Sequence, residues 1–61
     1  MSVYIEAPRQ IGTPVCIAFP GESPRGGYVI VDASAERATV SRRGAVSSTI
    51  VPWSWVVVRK Y

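Results

Sequence analysis

The chain has 61 residues, a formal net charge of +3 from seven basic and four acidic side chains, and 48% hydrophobic residues. A chain this short forms one domain at most and buries only about 60% of the surface that its unfolded form exposes, so we expect a single domain over residues 1–61. One cysteine and no histidine exclude an intrachain disulfide and a conventional zinc site, and no cofactor is expected.

The first residues lack the basic start and long apolar run of a signal peptide, and no run approaches the roughly 18 apolar residues of a membrane span. We therefore expect a cytoplasmic protein that does not enter membranes. The positive net charge favours an acidic partner, and it is also typical of small proteins that carry charge for solubility.

The first half of the chain predicts β-strands, because no segment has the i, i+3, i+4, i+7 apolar repeat of a helix. Residues 3–7 are predicted to form an edge strand, or an arm within residues 1–11, and residues 14–19 a strand bounded by prolines. A loop over residues 21–27 follows. The unbroken apolar run 28–31 is typical of a central strand covered on both faces, and residues 32–36 turn the chain.

Residues 37–43 alternate in the manner of a half-buried strand. Ala38 and Val40 point to the predicted core, and the polar residues between them point to solvent. These polar residues are Arg37, Thr39, Ser41 and Arg43. One face of this strand is therefore expected to be basic and wet.

The last segment predicts a hairpin and a closing strand. Arg43 and Gly44 supply the hairpin turn, and residues 45–51 form the next strand, which ends at Pro52 because proline has no N–H for the ladder. Residues 56–59 form the closing strand.

The segment Val51-Pro52-Trp53-Ser54-Trp55-Val56 resembles the aliphatic-Pro-x-x-aromatic-Val segment with which SH3 domains enter their 3₁₀ turn. Covering roughly residues 12–59, this resemblance implies an all-β fold, a small five-stranded SH3-like barrel with a single 3₁₀ turn before the last strand. The chain lacks the Ala-Leu-Tyr-Asp-Tyr motif, the acidic long loop and the tryptophan opening the third strand of SH3 domains. Their absence argues against the recognition of proline-rich peptides.

Two further groups of SH3-like proteins are similar to parts of the chain. The C-terminal domain of retroviral integrases is a basic barrel that binds DNA. Its sequence has, in the same order, elements similar to Val29-Ile30, Asp32, Val51-Pro52 and Arg59-Lys60-Tyr61. This chain differs in having a hairpin before the Val-Pro step. The plasmid-borne type II dihydrofolate reductases are SH3-like chains that tetramerise around one pore. They need a Val-Gln-Ile-Tyr run where this chain has Ser48-Thr49-Ile50-Val51, so the reductase activity is not carried over.

The basic strand face and the basic end of the chain form the candidate nucleic-acid site. Side chains on one strand face can contact successive phosphates, and the excess of arginine over lysine, six to one, favours bidentate binding of phosphate or carboxylate. The candidate residues are Arg37, Thr39, Arg42, Arg43, Arg59 and Lys60. The alternative is the ordinary solvated face of an antiparallel strand.

The tryptophan segment provides a candidate interface. A core this small cannot take both rings, so we expect Trp55 inside and Trp53 on the surface, where Trp53 stacks on a base or anchors a protein. The alternative is that both rings close the open end of the barrel. The candidate interface residues are Trp53, Trp55, Val57 and Tyr61. Because residues 55–58 are all apolar, one face of the closing strand needs a cover: the N-terminal strand, a second copy or a larger protein.

Catalysis is not expected. Cys16 lies on an apolar strand without a neighbouring base, and the four carboxylates show no pairing in the sequence. The sequence therefore predicts a small non-catalytic binding protein whose leading partner is nucleic acid. The alternative is a protein-interaction module, an adaptor or inhibitor of the kind that phages and mobile elements encode, and a homo-oligomer is the third alternative.

Overall fold

The computed structural model describes residues 3–60, which form six strands and one 3₁₀ turn. The strands are β1 (Val3–Glu6), β2 (Pro14–Ile17), β3 (Arg25–Ala33), β4 (Arg37–Arg42), β5 (Ser48–Pro52) and β6 (Val56–Lys60), and the 3₁₀ turn (Trp53–Trp55) joins β5 to β6. The predictions of an all-β fold and of a 3₁₀ turn before the last strand are confirmed. No helix within residues 3–60 has the length and apolar character needed to cross a membrane.

All six strands form one antiparallel sheet in the order β1-β6-β2-β3-β4-β5. The sheet is open, with β1 and β5 at its edges, and it has one strand more than the expected five. The additional strand is β1, which pairs with β6 from Val3↔Lys60 to Glu6↔Val57. The prediction of an edge strand near residue 3 is therefore confirmed.

The core lies on one face of the sheet, and β4 shows why. Ala38 and Val40 are fully buried, whereas the residues between them and at the strand ends are half-buried or exposed, as the alternating pattern predicts. The complete core comprises Ala7, Val15, Ile17, Ile30, Ala38, Val40, Val51, Trp53 and Val56. Burying a side chain such as Ile or Val contributes about 1.5–3 kcal/mol, so these few residues supply much of the stability.

The prediction that β3 is covered on both faces is wrong. Val31 is 42% exposed, and the pairing with β4 shifts between Ile30↔Val40 and Asp32↔Thr39. A shift of this kind is a β-bulge, in which one extra residue leaves the ladder. Here the extra residue is Val31, and no second layer of the described chain covers it.

The turn after β4 and the end of β5 lie where the sequence predicts them. Gly44 has a φ of +83°, a conformation that glycine adopts without steric cost, and it turns β4 into the segment before β5. Pro52 is the last residue of β5. Both placements agree with the predicted turn and strand end.

Candidate nucleic-acid interface

The 3₁₀ turn buries Trp53, contrary to the prediction, and leaves Trp55 half-buried against the core. Trp53 is only 6% exposed and belongs to the core, so the expectation of a surface Trp53 is wrong. Its Nε1–H donates a hydrogen bond of 2.7 Å to the carbonyl oxygen of Ser34, and the guanidinium carbon of Arg9 lies 5.0 Å from its ring centroid. Because a buried indole needs a partner for its N–H, the Ser34 carbonyl explains why this tryptophan can be buried.

Trp55 is half-buried and belongs to an aromatic cluster with Phe19 and Tyr28. The Phe19 ring packs edge-on against Trp55, with centroids 5.8 Å apart, and against Tyr28 at 6.4 Å. Arg25 lies over Phe19 with its guanidinium carbon 5.9 Å from the centroid. Little in the sequence indicates this role of Phe19, a single aromatic residue before a proline, because its partners lie in β3 and in the 3₁₀ turn.

The structure divides the predicted nucleic-acid residues into separate regions. Arg37 begins β4 and Arg42 ends it, so at about 3.3 Å per residue they lie about 16 Å apart. Arg37 lines a groove beside the edge strand β5, together with Ile50 and Pro52. Thr39 is half-buried in the middle of β4. Arg37 and Thr39 therefore do not belong to one site with the remaining predicted residues.

Arg43 and Arg59, although sixteen positions apart in the sequence, line the same open groove of about 420 Å³. Arg43 lies in the turn after β4, and Arg59 lies near the end of β6. We call this the basic groove. Among residues 3–60 its lining is Pro14, Val15, Cys16, Gly27, Tyr28, Arg43, Val58 and Arg59.

The pairing of β2 with its two neighbours explains why these arginines meet. Cys16 pairs with Val57 and Ile17 with Val56, so the same register places Pro14 opposite Arg59. Residues paired across antiparallel strands share a face, and the buried pair Ile17 and Val56 identifies the core face. Arg59, two residues beyond Val57, therefore lies on the outer face.

Arg43 reaches the groove from the other side through β3. Its backbone N–H donates a hydrogen bond of 2.9 Å to the carbonyl oxygen of Gly27. It also continues the outward-facing series of Thr39 and Ser41 on β4. Both arginines therefore flank the outer face of β2 and β3.

Gly27 leaves part of the groove floor without a side chain. Its φ of +88° favours glycine, and a Cβ at this position would have no neighbour within 4 Å. The sequence placed it in a loop, but it lies inside β3, where the pairing with β2 shifts between Val15 and Ile17. A glycine within a strand often marks a bulge or a close approach of the backbone, and this signal would have identified the site.

The charges around the groove are predominantly positive. Arg9 forms an ion pair with Glu6 at 3.5 Å and Arg25 forms one with Glu22, but Arg43 has no carboxylate partner within residues 3–60. No acidic side chain of the described residues lines the groove.

The two remaining predicted basic residues do not line the groove. Arg42 pairs with the core-packed Tyr28 and Lys60 follows Arg59 on β6, so both project from the face opposite to Arg59. The Arg59 guanidinium carbon lies 6.0 Å from the ring centroid of Tyr4, the residue opposite it on β1. Tyr4 therefore helps to position one of the two groove arginines.

The predicted interface residues do not form one surface. Trp53 is buried and Trp55 and Val57 are half-buried, while Tyr61 lies outside the described residues. Exposed apolar side chains lie elsewhere: on the edge strands at Val3, Ile5 and Ile50, on β3 at Val31, and between strands at Ile11 and Val46. The strand β1 pairs along the edge of β6 and does not cover its face.

No group of three or more His, Cys, Asp or Glu side chains within residues 3–60 is placed to hold a metal ion. No protein-family model matches the chain, and comparisons with curated proteins and with solved structures find no match. The fold and the basic groove therefore supply the evidence on function.

Proposed function

We propose that this chain is a non-catalytic nucleic-acid-binding protein that contacts the phosphate backbone at the basic groove. The observation that carries the proposal is the convergence of Arg43 and Arg59 on one groove, which has no acidic side chain among the described residues of its lining. Guanidinium groups bind phosphate oxygens bidentately, and a cleft of one charge sign concentrates ligands of the opposite sign. Arg42 and Lys60, which do not line the groove, add to the net positive charge of the chain.

The strand order supports an SH3-like barrel as the scaffold. Without β1, the order is β6-β2-β3-β4-β5, and the chain runs from one strand through a long loop into a three-stranded meander and then a 3₁₀ turn. This is the arrangement that the resemblance of the Pro52 to Val56 segment implies. The basic ending that is similar to the integrase domain, Arg59 and Lys60, belongs to β6, and its Arg59 lines the groove.

A comparison of two single substitutions tests the proposal. Arg43→Ala and Arg37→Ala each remove one exposed charge, but only Arg43 lines the basic groove. For single strands the affinity falls with salt with a slope of about −0.7 per phosphate contact on a log-log plot. Arg43→Ala should therefore reduce the slope by about 0.7 and the affinity at 0.1 M salt about fivefold.

Arg37→Ala is the matched control and should leave the slope and the affinity unchanged. Both are measured by fluorescence anisotropy of labelled oligonucleotides over a range of salt concentrations. A flat salt dependence of the unsubstituted protein contradicts the proposal. Equal losses for both variants contradict the assignment to the basic groove.

Protein binding at β5 is the second candidate function. β5 has no strand partner on its outer side within the described chain, and Ile50 on it is 63% exposed. An exposed strand edge can receive an extended segment of another chain. This alternative would use the surface where Arg37 lies, away from the basic groove.

A further inference from the structure

We infer that the basic groove takes up one unstacked nucleotide, so that the ligand is single-stranded nucleic acid. The inference rests on the proposed phosphate binding and adds a role for the groove floor. A site for phosphate alone would be lined by charged and hydrogen-bonding groups. Here Pro14, Cys16 and Gly27 lie beside the two arginines among the described residues of the lining.

The rest of the lining suits the face of a planar ring. Beside the arginines on the outer face it consists of Pro14, Cys16 and the bare backbone of Gly27, whereas Val15, Tyr28 and Val58 pack against the core. Phosphate oxygens gain nothing from such groups, whereas a nucleobase buries its faces against apolar and aromatic side chains. The combination of an apolar floor with two guanidinium groups therefore matches a nucleotide, which has both a ring and a phosphate.

The dimensions agree with a ligand of this size. The groove volume of about 420 Å³ lies in the lower part of the range of about 300–1,000 Å³ for small-molecule sites. Its floor is open where Gly27 has no side chain and where a Cβ would meet no atom within 4 Å. A ring can therefore approach the backbone of β3 closely.

A duplex cannot use this floor without distortion. Its bases are stacked inside the helix, and extruding one costs a few kcal/mol, whereas the bases of a single strand are free to enter a groove. The phosphates of a duplex would still meet Arg43 and Arg59. The preference for single strands over duplexes should therefore depend on the groove floor. The salt dependence of the affinity should depend on the arginines.

The test compares three labelled ligands on the unsubstituted protein by anisotropy: an oligothymidylate, an abasic oligomer of the same length and charge, and a duplex of that length. Base stacking contributes about 1–3 kcal/mol per base, so the oligothymidylate should bind about 5- to 150-fold more tightly than the abasic oligomer. It should also bind more tightly than the duplex.

A groove-filling variant locates the effect. Cys16→Leu enlarges a floor residue and should reduce the affinity for oligothymidylate to that for the abasic oligomer, with the salt slope unchanged. Val57→Leu is the matched control, because Val57 pairs with Cys16 on the same face but does not line the groove. Circular dichroism confirms that both variants are folded, and the comparison of ligands on the unsubstituted protein does not depend on them.

Each result is decisive. Equal affinities for the three ligands with a clear salt dependence overturn the nucleotide inference and leave the proposed phosphate binding intact. Failure of Cys16→Leu to change a measured preference for bases places the base outside the groove and also overturns it. The absence of salt-dependent binding to any ligand overturns both proposals.

Discussion

Replacing Trp53, the buried tryptophan, by alanine should unfold much of the protein. Replacing Trp55 should lower the free energy of unfolding less. A domain of 61 residues has a free energy of unfolding of about 3–9 kcal/mol at 0.05–0.15 kcal/mol per residue. Truncating a buried tryptophan to alanine costs about 3–5 kcal/mol. Trp53→Ala therefore removes most or all of the stability, since Trp53 is 6% exposed.

Phenylalanine gives a measurable version of this experiment. Trp53→Phe keeps an aromatic ring in the core but loses the hydrogen bond of 2.7 Å to the Ser34 carbonyl, which contributes about 0.5–1.5 kcal/mol, and some packing. We expect a loss of about 1–2 kcal/mol in total. Trp55→Phe should cost less than about 1 kcal/mol, because Trp55 is half-buried and phenylalanine can keep an edge-on contact with Phe19.

Urea denaturation followed by circular dichroism measures both variants, since tryptophan fluorescence changes with the substitution itself. With a slope of about 1 kcal/mol per molar urea, Trp53→Phe should lower the midpoint by about 1–2 M. A larger shift for Trp55→Phe than for Trp53→Phe would refute the reasoning, because it would show that Trp55 is the more deeply buried ring.

Two further predictions concern the backbone of β3 and the edge of the sheet. Gly27→Ala should cost about 1–2 kcal/mol in urea denaturation, because an alanine at φ +88° is strained; Gly26→Ala, whose Cβ meets only Cys16 Sγ at 3.7 Å, should not be destabilising, and equal losses would contradict the strain argument. If β5 binds a second copy, Ile50→Lys should lower the mass measured by analytical ultracentrifugation, and a mass that is the same for both proteins would argue against association at Ile50.

The sequence predicted those parts of the fold that depend on short patterns. The alternation around Val40 identified β4 and its buried face, and Pro52 correctly ended β5. Both signals act within a few residues, because strand alternation and the missing N–H of proline are local properties. Strands with such signals can be placed without knowledge of their partners.

The errors all involve contacts between distant segments. Trp53 and Trp55 are equivalent by composition, and only the Ser34 carbonyl, nineteen positions away, decides which ring is buried. Val31 belonged to an unbroken apolar run, but the bulge opposite Thr39 turns it to solvent. The pairing register determines both outcomes, and a single sequence does not contain it.

The sequence predicted residues of the candidate site but not which of them lie together. Arg43 and Arg59 were both in the predicted set, yet their meeting depends on β6 returning to pair with β2. Arg37 was in the same set because it shares a strand face with Arg43. The length of β4 separates the two arginines, so their position on the same strand face does not place them in one site.

Gly27 connects the fold to the proposed function. Glycine in a strand is less stable than alanine by roughly 0.5–1 kcal/mol where both can adopt the conformation, so a strand glycine needs a local reason. The positive φ of Gly27 gives that reason. A glycine here also leaves the backbone without a side chain where the Gly27 carbonyl oxygen accepts a hydrogen bond from the Arg43 N–H. The bulge that bends β3 and the open floor between the two arginines therefore have the same origin. A substitution that relieves the bulge should remove the groove as well, because a regular ladder would project a side chain from this position onto the outer face.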